Sequence, residues 1–157
     1  MSYAAVVFVV GLLIAIHEYG HLLAAKLCGI PVKRFSIGFG PKVFEVKRGE
    51  TSYWLSWIPI GGYVLPAIEQ DDFRELPVWK RITFALGGPI ANIIAAFMGL
   101  FVLGLSQFNL TVFGSTLFAA TELWTGLQQQ IAGLSALLTD VDQLSGIVGI
   151  VAVGGAQ

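Results

Sequence analysis

The stretch YAAVVFVVGLLIAIHEYGHLLAAKL, residues 3–27, decides how the rest of the chain is interpreted. Residues 3–16 carry no charge, and a helix that continues to residue 27 would have about 25 residues, enough to cross a bilayer core. The start of the stretch has neither a basic region nor a cleavage site of small residues, so we expect an uncleaved membrane anchor. Inside this apolar helix lies His17-Glu18-Tyr19-Gly20-His21, which contains both histidines of the chain.

Residues 17–21 have the H-E-x-x-H spacing of a zinc-binding helix. At about 100° per residue, His17 and His21 project within about 40° of each other and can hold one metal ion. Zinc accepts neutral imidazole nitrogens and, in catalytic sites, keeps one position open for water. We therefore expect His17 and His21 to bind Zn²⁺, and Glu18 to be the general base that takes a proton from the activated water during amide hydrolysis.

A pattern this short also occurs by chance on the charged face of a soluble helix. In this chain the chance interpretation is weaker because of where the pattern lies. Glu and His inside a transmembrane helix cost about a few kcal/mol each and are normally retained only where they face an interior or a wet cavity. The apolar surroundings therefore favour a metal site.

The composition of the whole chain is typical of a membrane protein. Its 157 residues have a mean hydropathy of +0.77, and only 12% are charged, against about 25% in a soluble domain. The net charge of −1 offers no basic surface, so we expect no nucleic acid partner. Cys28 is the only cysteine, which excludes an internal disulfide, and we expect it to be a small buried apolar residue.

A second apolar stretch, residues 82–105, is also long enough to span a bilayer, although Gly87-Gly88-Pro89 and Asn92 interrupt it. We expect Gly87, Gly88 and Pro89 to loosen the start of the second span, so that the second span approaches the first closely. All nine Lys and Arg residues lie within residues 26–81. The positive-inside rule therefore places the connection between the spans on the cytoplasmic side of the lipid bilayer.

The connection, residues 29–80, predicts β structure. Residues 43–47 and 51–57 have the pattern of two strands around the turn Arg48-Gly49-Glu50, and glycines and prolines are expected to divide the rest into short pieces. Residues 110–138 predict an amphipathic helix at the outer surface. The predicted fold is membrane α-helical, with a β-hairpin-rich membrane-associated loop, two transmembrane helices and an amphipathic helix.

Three blocks of this sequence together resemble the site-2 protease family of intramembrane zinc metalloproteases, peptidase family M50, and most of all the bacterial branch that includes the regulator of sigma-E protease. The blocks are residues 16–25, residues 35–41 through 60–64, and residues 87–92. The resemblance implies a protease core over residues 1–105, with helices at about 3–27 and 82–105 and the β loop at 29–80. Residues 106–157 would hold the amphipathic helix and the start of a C-terminal membrane region.

The resemblance also implies roles for individual residues. His17 and His21 would bind zinc, Glu18 would be the general base, and the β loop would lie beside them and contact substrate through Gly61, Gly62, Tyr63 and Val64. For Asn92 it implies a catalytic role, polarising the scissile carbonyl or holding the transition-state oxyanion. The residues alone suit an interhelical hydrogen bond by Asn92 equally well.

The implied function is an intramembrane zinc endopeptidase of a bacterial inner membrane. It would cleave the transmembrane segment of a single-pass protein, such as an anti-sigma factor, and an exposed strand edge within residues 35–64 would pair with the unwound substrate. A structural cap over the helices is the other interpretation of the β loop. The alternative function is a catalytically incomplete membrane scaffold or an inactive homologue.

Two departures from the family pattern stand out. Residues 107–140 are too few for the PDZ domain commonly inserted there, and the Leu-Asp-Gly motif that supplies the third zinc ligand does not occur. We therefore expect an N-terminal part of a longer protein, binding zinc weakly and inactive alone. Asp140 and Asp142 are not expected to replace the missing ligand.

Overall fold

The computed structural model describes residues 3–139, and the residues around Asp140 and Asp142 lie outside that range. The element order is α1 (Tyr3–Leu27), β1 (Val32–Arg48), β2 (Thr51–Pro66), α2 (Gln70–Glu75), α3 (Val78–Ser106) and α4 (Val112–Thr139). The described part of the chain forms two compact units that divide after residue 96. The first unit contains the predicted metal-binding residues.

Two helices of the described range, Ala5–Leu27 and Val78–Ser106, are long and apolar enough to cross a membrane. In their most apolar windows only 11% and 6% of the residues are buried, unlike the core helix of a soluble protein. The first helix agrees with its predicted bounds. The second begins at Val78 rather than at residue 82, because the amide of Lys80 donates to the carbonyl of Pro77 and so starts the helix four residues earlier.

Within the first unit, helices α1 and α3 cross in close contact at two glycines. A Cβ built on Gly87 would lie 2.6 Å from the carbonyl oxygen of Gly20 and 2.7 Å from the Cβ of Ala24. A Cβ on Gly20 would collide in turn with the carbonyl of Gly87. The predicted close approach is therefore observed, but it requires no loosening of the helix, which runs unbroken through Pro89.

The predicted hairpin is confirmed, with Gly49-Glu50 as its turn, but both strands are longer than the predicted 43–47 and 51–57. The glycines expected to end the strands bend them instead. Gly38, Gly40 and Gly61 adopt φ values of +87°, +85° and +93°, a region that glycine enters without the steric cost of a Cβ. Backbone pairing therefore continues past each of these bends.

The bends give each strand two segments. Residues 34–37 pair on one side with residues 62–65 and on the other side with residues 52–55. Residues 51–55 pair in turn with residues 44–48. Four segments thus lie side by side in the order 44–48, 51–55, 34–37 and 62–65. Segments 44–48 and 62–65 form the two outer edges of the sheet.

A small apolar cluster joins the C-terminal end of α1 to the sheet, and Cys28, 5% exposed, lies in it as predicted. The hydroxyl of Thr51 donates to the carbonyl of Val32 at 2.7 Å and holds the start of β2 against the start of β1. Helix α2 was not predicted, yet its Phe73 packs against the same cluster. The cluster thereby fixes the sheet beside the last two turns of α1.

The second unit contains the end of α3 and helix α4, which agrees closely with the helix predicted over 110–138. The amide of Leu110 donates to the carbonyl of Gly104 at 3.0 Å, and the rings of Phe108 and Phe118 lie 5.3 Å apart. A Cβ on Gly104 would lie 3.0 Å from Ser115 Oγ, so the helices of this unit also meet at a small residue.

Candidate metal centre

The two histidines of α1 point their Nε2 atoms at each other. These nitrogens lie 3.1 Å apart, and both side chains are partly buried. Two nitrogens bonded to one tetrahedral zinc ion at about 2.0–2.1 Å lie about 3.3 Å from each other. The spacing of His17 and His21 is therefore close to that of a shared metal ion.

The other ring nitrogen of His21 determines which nitrogen carries the proton. Its Nδ1 lies 2.7 Å from the carbonyl oxygen of Phe84, and a carbonyl only accepts hydrogen bonds. The proton of neutral His21 must therefore be on Nδ1, which leaves a lone pair on Nε2. Metal-binding histidines are commonly held by a backbone carbonyl in this way.

His17 is held by Asn92 on helix α3. Asn92 Nδ2 donates to His17 Nδ1 at 3.2 Å, while Asn92 Oδ1 is buried and has no hydrogen-bond partner among the described residues. If the amide turned by 180°, Oδ1 would accept a proton from His17 Nδ1 and leave Nε2 free to bind a metal. The turned amide is therefore the orientation that a metal bound at His17 Nε2 requires.

Gly88 borders both Nε2 atoms. A Cβ built on this buried glycine would lie 2.5 Å from the Nε2 of His17 and 2.5 Å from the Nε2 of His21. Any other residue would place its Cβ against both nitrogens and against His17 Cδ2, at 2.6 Å, and would push the rings out of position. The glycine therefore keeps the space beside the nitrogens clear, as a metal ion bound to both requires.

Glu18 and the sheet border the same site. A Cβ on Gly62 would lie 2.7 Å from Glu18 Cγ, so the backbone of β2 passes directly over the carboxylate side chain. A cavity of about 300 Å³ opens here, lined by His17, Glu18, Gly61, Gly62 and Asn92 together with apolar residues of α1. The cavity thus brings His17, an acid and a strand edge together, and His21 contacts His17 beside it.

Comparison with known proteins decides the family. A family model described as Peptidase family M50 matches residues 5–157. The chain belongs to peptidase family M50.

Bacterial relatives of this M50 chain include the following three proteins. Proteins called "Putative zinc metalloprotease" in Fusobacterium nucleatum and Chlamydia trachomatis are 41% and 40% identical over 65% and 63% of the chain. Protease RseP of Yersinia pestis is 37% identical over 66% of the chain. The matched regions cover 32%, 18% and 26% of these relatives, so the chain spans a third or less of their length.

The M50 site brings together most of the residues predicted from the sequence, but not all. His17, Glu18, Asn92, Gly61 and Gly62 line one cavity. The other two predicted substrate residues have different neighbours. The hydroxyl of Tyr63 accepts from Arg34 at 3.3 Å, and Val64 packs against the apolar cluster, so neither side chain lines the cavity.

Two contributors to the site, the Phe84 carbonyl and Gly88, were not predicted from the sequence. A backbone carbonyl has no signature in the sequence, because every residue has one. Gly88 belongs to the Gly87-Gly88-Pro89 group that predicts a close approach of the second span to the first. That expectation was the available signal for Gly88, but it does not specify the histidines as the neighbours.

The described residues contribute no third metal ligand. Within residues 3–139 no group of three or more His, Cys, Asp or Glu side chains is arranged to hold a metal ion. The two histidines are thus the nitrogen ligands that this part of the chain provides.

Proposed function

We propose that this chain forms the metal-binding part of an intramembrane zinc endopeptidase, which hydrolyses a peptide bond in or near the transmembrane segment of a membrane protein. The observation that carries the proposal is the convergence of the Nε2 atoms of His17 and His21, 3.1 Å apart, beside Gly88. The names of the relatives, which call them zinc metalloproteases, support Zn²⁺ as the metal.

In this proposal His17 and His21 hold the metal through Nε2. A zinc ion bound there would supply a Lewis acid that activates water and polarises a carbonyl. Glu18 accepts the proton of the attacking water and returns it to the leaving amine. The backbone of Gly62 passes over the Glu18 side chain, and the cavity that Glu18 lines is where we propose that the substrate chain enters.

Asn92 is a positioning residue in this scheme. Its amide touches His17 Nδ1 and has an unpaired oxygen, so we propose that it holds the ring and selects the tautomer that binds metal. The catalytic role implied by the family resemblance, at the scissile carbonyl, is the competing assignment. The two roles differ in their effect on metal affinity.

The substrate binds along the outer sheet edge formed by segment 62–65. A transmembrane substrate enters as a helix with its carbonyls already bonded, and it must unwind before water can attack. An outer strand offers backbone groups that satisfy the unwound stretch and hold it extended. Gly61 and Gly62 place this edge beside Glu18, and Tyr63 and Val64 contribute their backbone groups rather than cavity-lining side chains.

The proposed setting is a bacterial inner membrane, with α1 and α3 crossing the lipid bilayer and the sheet on the cytoplasmic side. All nine basic residues lie within residues 26–81, between the two apolar helices or at their ends, which supports this orientation. A single-pass protein such as an anti-sigma factor suits the site as substrate. Cleavage of the transmembrane segment of such a protein would release its soluble domain from the membrane.

One observation favours a second candidate function, a catalytically incomplete scaffold. Residues 3–139 contribute two nitrogen ligands and no third one. A protein that binds transmembrane segments without cleaving them would need the strand edge but not the metal. The metal content of the full-length protein separates the two candidates.

The test uses the full-length protein purified in detergent. We expect about one zinc ion per chain in the wild type, loss of zinc in His21→Ala, and retained zinc with cleavage reduced at least about 100-fold in Glu18→Gln. Glu69→Gln, outside the cavity, is the matched control and should cleave like the wild type. Absence of zinc from the wild type, or full cleavage by Glu18→Gln, would overturn the proposal.

A further inference from the structure

A second cavity lies on the opposite face of α1 from the histidines. Its volume is about 470 Å³, and α1 contributes Tyr19, Leu22, Leu23 and Lys26 to its wall. At about 100° per residue, these four positions are centred about 170° around the helix from the midpoint of the two histidines. The cavity is therefore separate from the candidate metal centre.

The outer wall of this cavity comes from the sheet. Val46 and Arg48, on the outer segment 44–48, face it together with Tyr53 of the neighbouring segment. Lys26 Nζ donates to the hydroxyl of Tyr53 at 2.8 Å and lies 5.5 Å from the centre of its ring. The contact holds the exposed ammonium group at the cavity wall.

The cavity changes in character along the helix axis. Tyr19 and Lys26 are seven residues apart, which corresponds to about 10 Å of helix. Between them lie the buried Leu22 and the half-exposed Leu23, which make the middle of the cavity apolar; we call this part the apolar depth. The part near the end of α1, at Lys26 and Arg48, is basic, and we call it the mouth. The apolar depth and the basic mouth together match an amphiphile with an anionic head.

The two basic groups at the mouth have no acidic partner. Within residues 3–139 the ion pairs are Lys42 with Glu45 and Arg74 with Asp71, and neither includes Lys26 or Arg48. Two cations that share one cavity wall without a carboxylate attract an anion. At the cytoplasmic surface of a membrane, the abundant anions are lipid headgroups.

We propose that this cavity binds an anionic phospholipid, with its phosphate at Lys26, Arg48 and the Tyr53 hydroxyl and the start of an acyl chain along Leu22, Leu23 and Val46. The inference rests on the membrane orientation given under the proposed function, which places the end of α1 at the cytoplasmic headgroups. A free phosphate ion would use the mouth alone and leave the apolar depth without a role. The lipid would hold segment 44–48 against α1.

The experiment compares two charge-matched double variants of the full-length protein. Lys26→Gln/Arg48→Gln removes both cations of the cavity, and Lys47→Gln/Arg74→Gln removes two cations outside it. Lys47 is a sharp control because adjacent residues of a strand point to opposite faces, and it is flanked by two residues that line the cavity. Binding is measured by native mass spectrometry with phosphatidylglycerol, phosphatidylcholine and soluble glycerol phosphate as probes.

We expect the wild type to bind phosphatidylglycerol at least about 10-fold more tightly than phosphatidylcholine, and to bind glycerol phosphate weakly. The cavity variant should lose that preference, whereas the control should keep it within about twofold. Equal losses in both variants, or a wild type that binds glycerol phosphate as tightly as the lipid, would overturn the proposal. Leu23→Trp adds an independent check, since filling the apolar depth should weaken lipid binding with both cations present.

Zinc content and substrate cleavage of the same variants separate this inference from the proposed function. The cavity variant should retain zinc, because the cavity and the histidines lie on opposite faces of α1. A protein that binds zinc and cleaves substrate but shows no lipid preference would refute the lipid site alone. A protein with the lipid preference but without zinc would refute the protease alone.

Discussion

Gly88 of α3 lies directly against His21 of α1, so close that a Cβ on the glycine would stand 2.5 Å from His21 Nε2. The same Cβ would stand 2.5 Å from the Nε2 of His17. The site therefore depends on the absence of a side chain as much as on the presence of two imidazoles. The contact joins the two long helices at the atoms proposed to bind metal.

Gly88→Ala should abolish metal binding. Its methyl group would collide with both imidazole rings, and because a backbone-attached methyl cannot rotate away, the two nitrogens would have to move apart. We expect the zinc content of the full-length protein, measured by mass spectrometry of the metal, to fall from about one ion per chain to near zero. Gly99→Ala on the same helix, where a Cβ meets nothing within 4 Å, is the control. Normal zinc in Gly88→Ala would contradict the site geometry.

Two substitutions of Asn92 distinguish its two possible roles. Asn92→Asp keeps an oxygen that accepts from His17 Nδ1, whereas Asn92→Leu removes every polar group. If Asn92 positions His17, the leucine variant should bind zinc about 10- to 100-fold more weakly and the aspartate variant about as well as the wild type. Competition with a chromophoric chelator measures the affinity.

Metal affinity is the informative readout because an oxyanion donor acts only on the substrate. If Asn92 stabilises the oxyanion instead, both variants should bind zinc normally and both should lose cleavage, since neither can donate as an amide does. Unchanged zinc affinity in Asn92→Leu is thus the outcome that contradicts the positioning role.

The elements that the sequence predicted well are those in which one local pattern dominates. The apolar run of residues 3–27 and the hairpin turn at Gly49-Glu50 both appear as expected. The spacing of His17 and His21 predicted a shared direction, because helix geometry alone determines it. These features need no knowledge of distant contacts.

The features that the sequence did not predict depend on tertiary contacts. Gly38 and Gly61 were expected to end strands, but pairing on both sides of residues 34–37 carries the strands through these bends. Helix α2 has only six residues, too few for a periodic pattern, and the packing of Phe73 defines it. The contact between Asn92 and His17 joins residues 75 positions apart, which no local signal encodes.

The crossing of the two long helices should be sensitive to a single methyl group. Gly20→Ala would drive a Cβ into the carbonyl of Gly87, and the helices would have to separate. We expect a loss of about 1–3 kcal/mol in the free energy of unfolding, measured by denaturant titration in detergent. Gly11→Ala in the same helix meets nothing within 4 Å and should change stability by no more than about 1 kcal/mol. Equal stability of both variants would contradict this packing.

The far end of the hairpin should weaken in acid. The ammonium of Lys42, paired with Glu45, lowers the pKa of that carboxyl to about 2 from its ordinary value of 4.5. Because the folded pKa is the lower one, the contribution of this pair is present above about pH 4.5 and is lost as the pH falls towards 2. Hydrogen exchange of residues 42–54, compared as protection factors at pH 5.5 and 3, should show the loss.

Glu45→Gln should remove this dependence on pH. Glu50→Gln in the turn is the control, because within residues 3–139 Glu50 forms no ion pair. The control should lose protection between pH 5.5 and 3 like the wild type. Identical pH profiles for Glu45→Gln and the wild type would show that the pair with Lys42 does not stabilise the hairpin.

Proline substitutions test whether the outer edge at segment 62–65 holds substrate. Adjacent residues of an edge strand direct their amides to opposite sides, so of Tyr63→Pro and Val64→Pro one removes an amide of the sheet and the other an amide of the free edge. The free-edge variant should keep its zinc and its unfolding midpoint yet cleave a transmembrane substrate at least about 10-fold more slowly. Lys47→Pro, on the opposite outer edge, is the control for a general effect of an edge proline. The folded Lys47→Pro protein should cleave the substrate at the wild-type rate. If the variant with an unchanged unfolding midpoint cleaves at the wild-type rate, the edge does not bind substrate through its backbone, and the sheet is a structural cap over the helices.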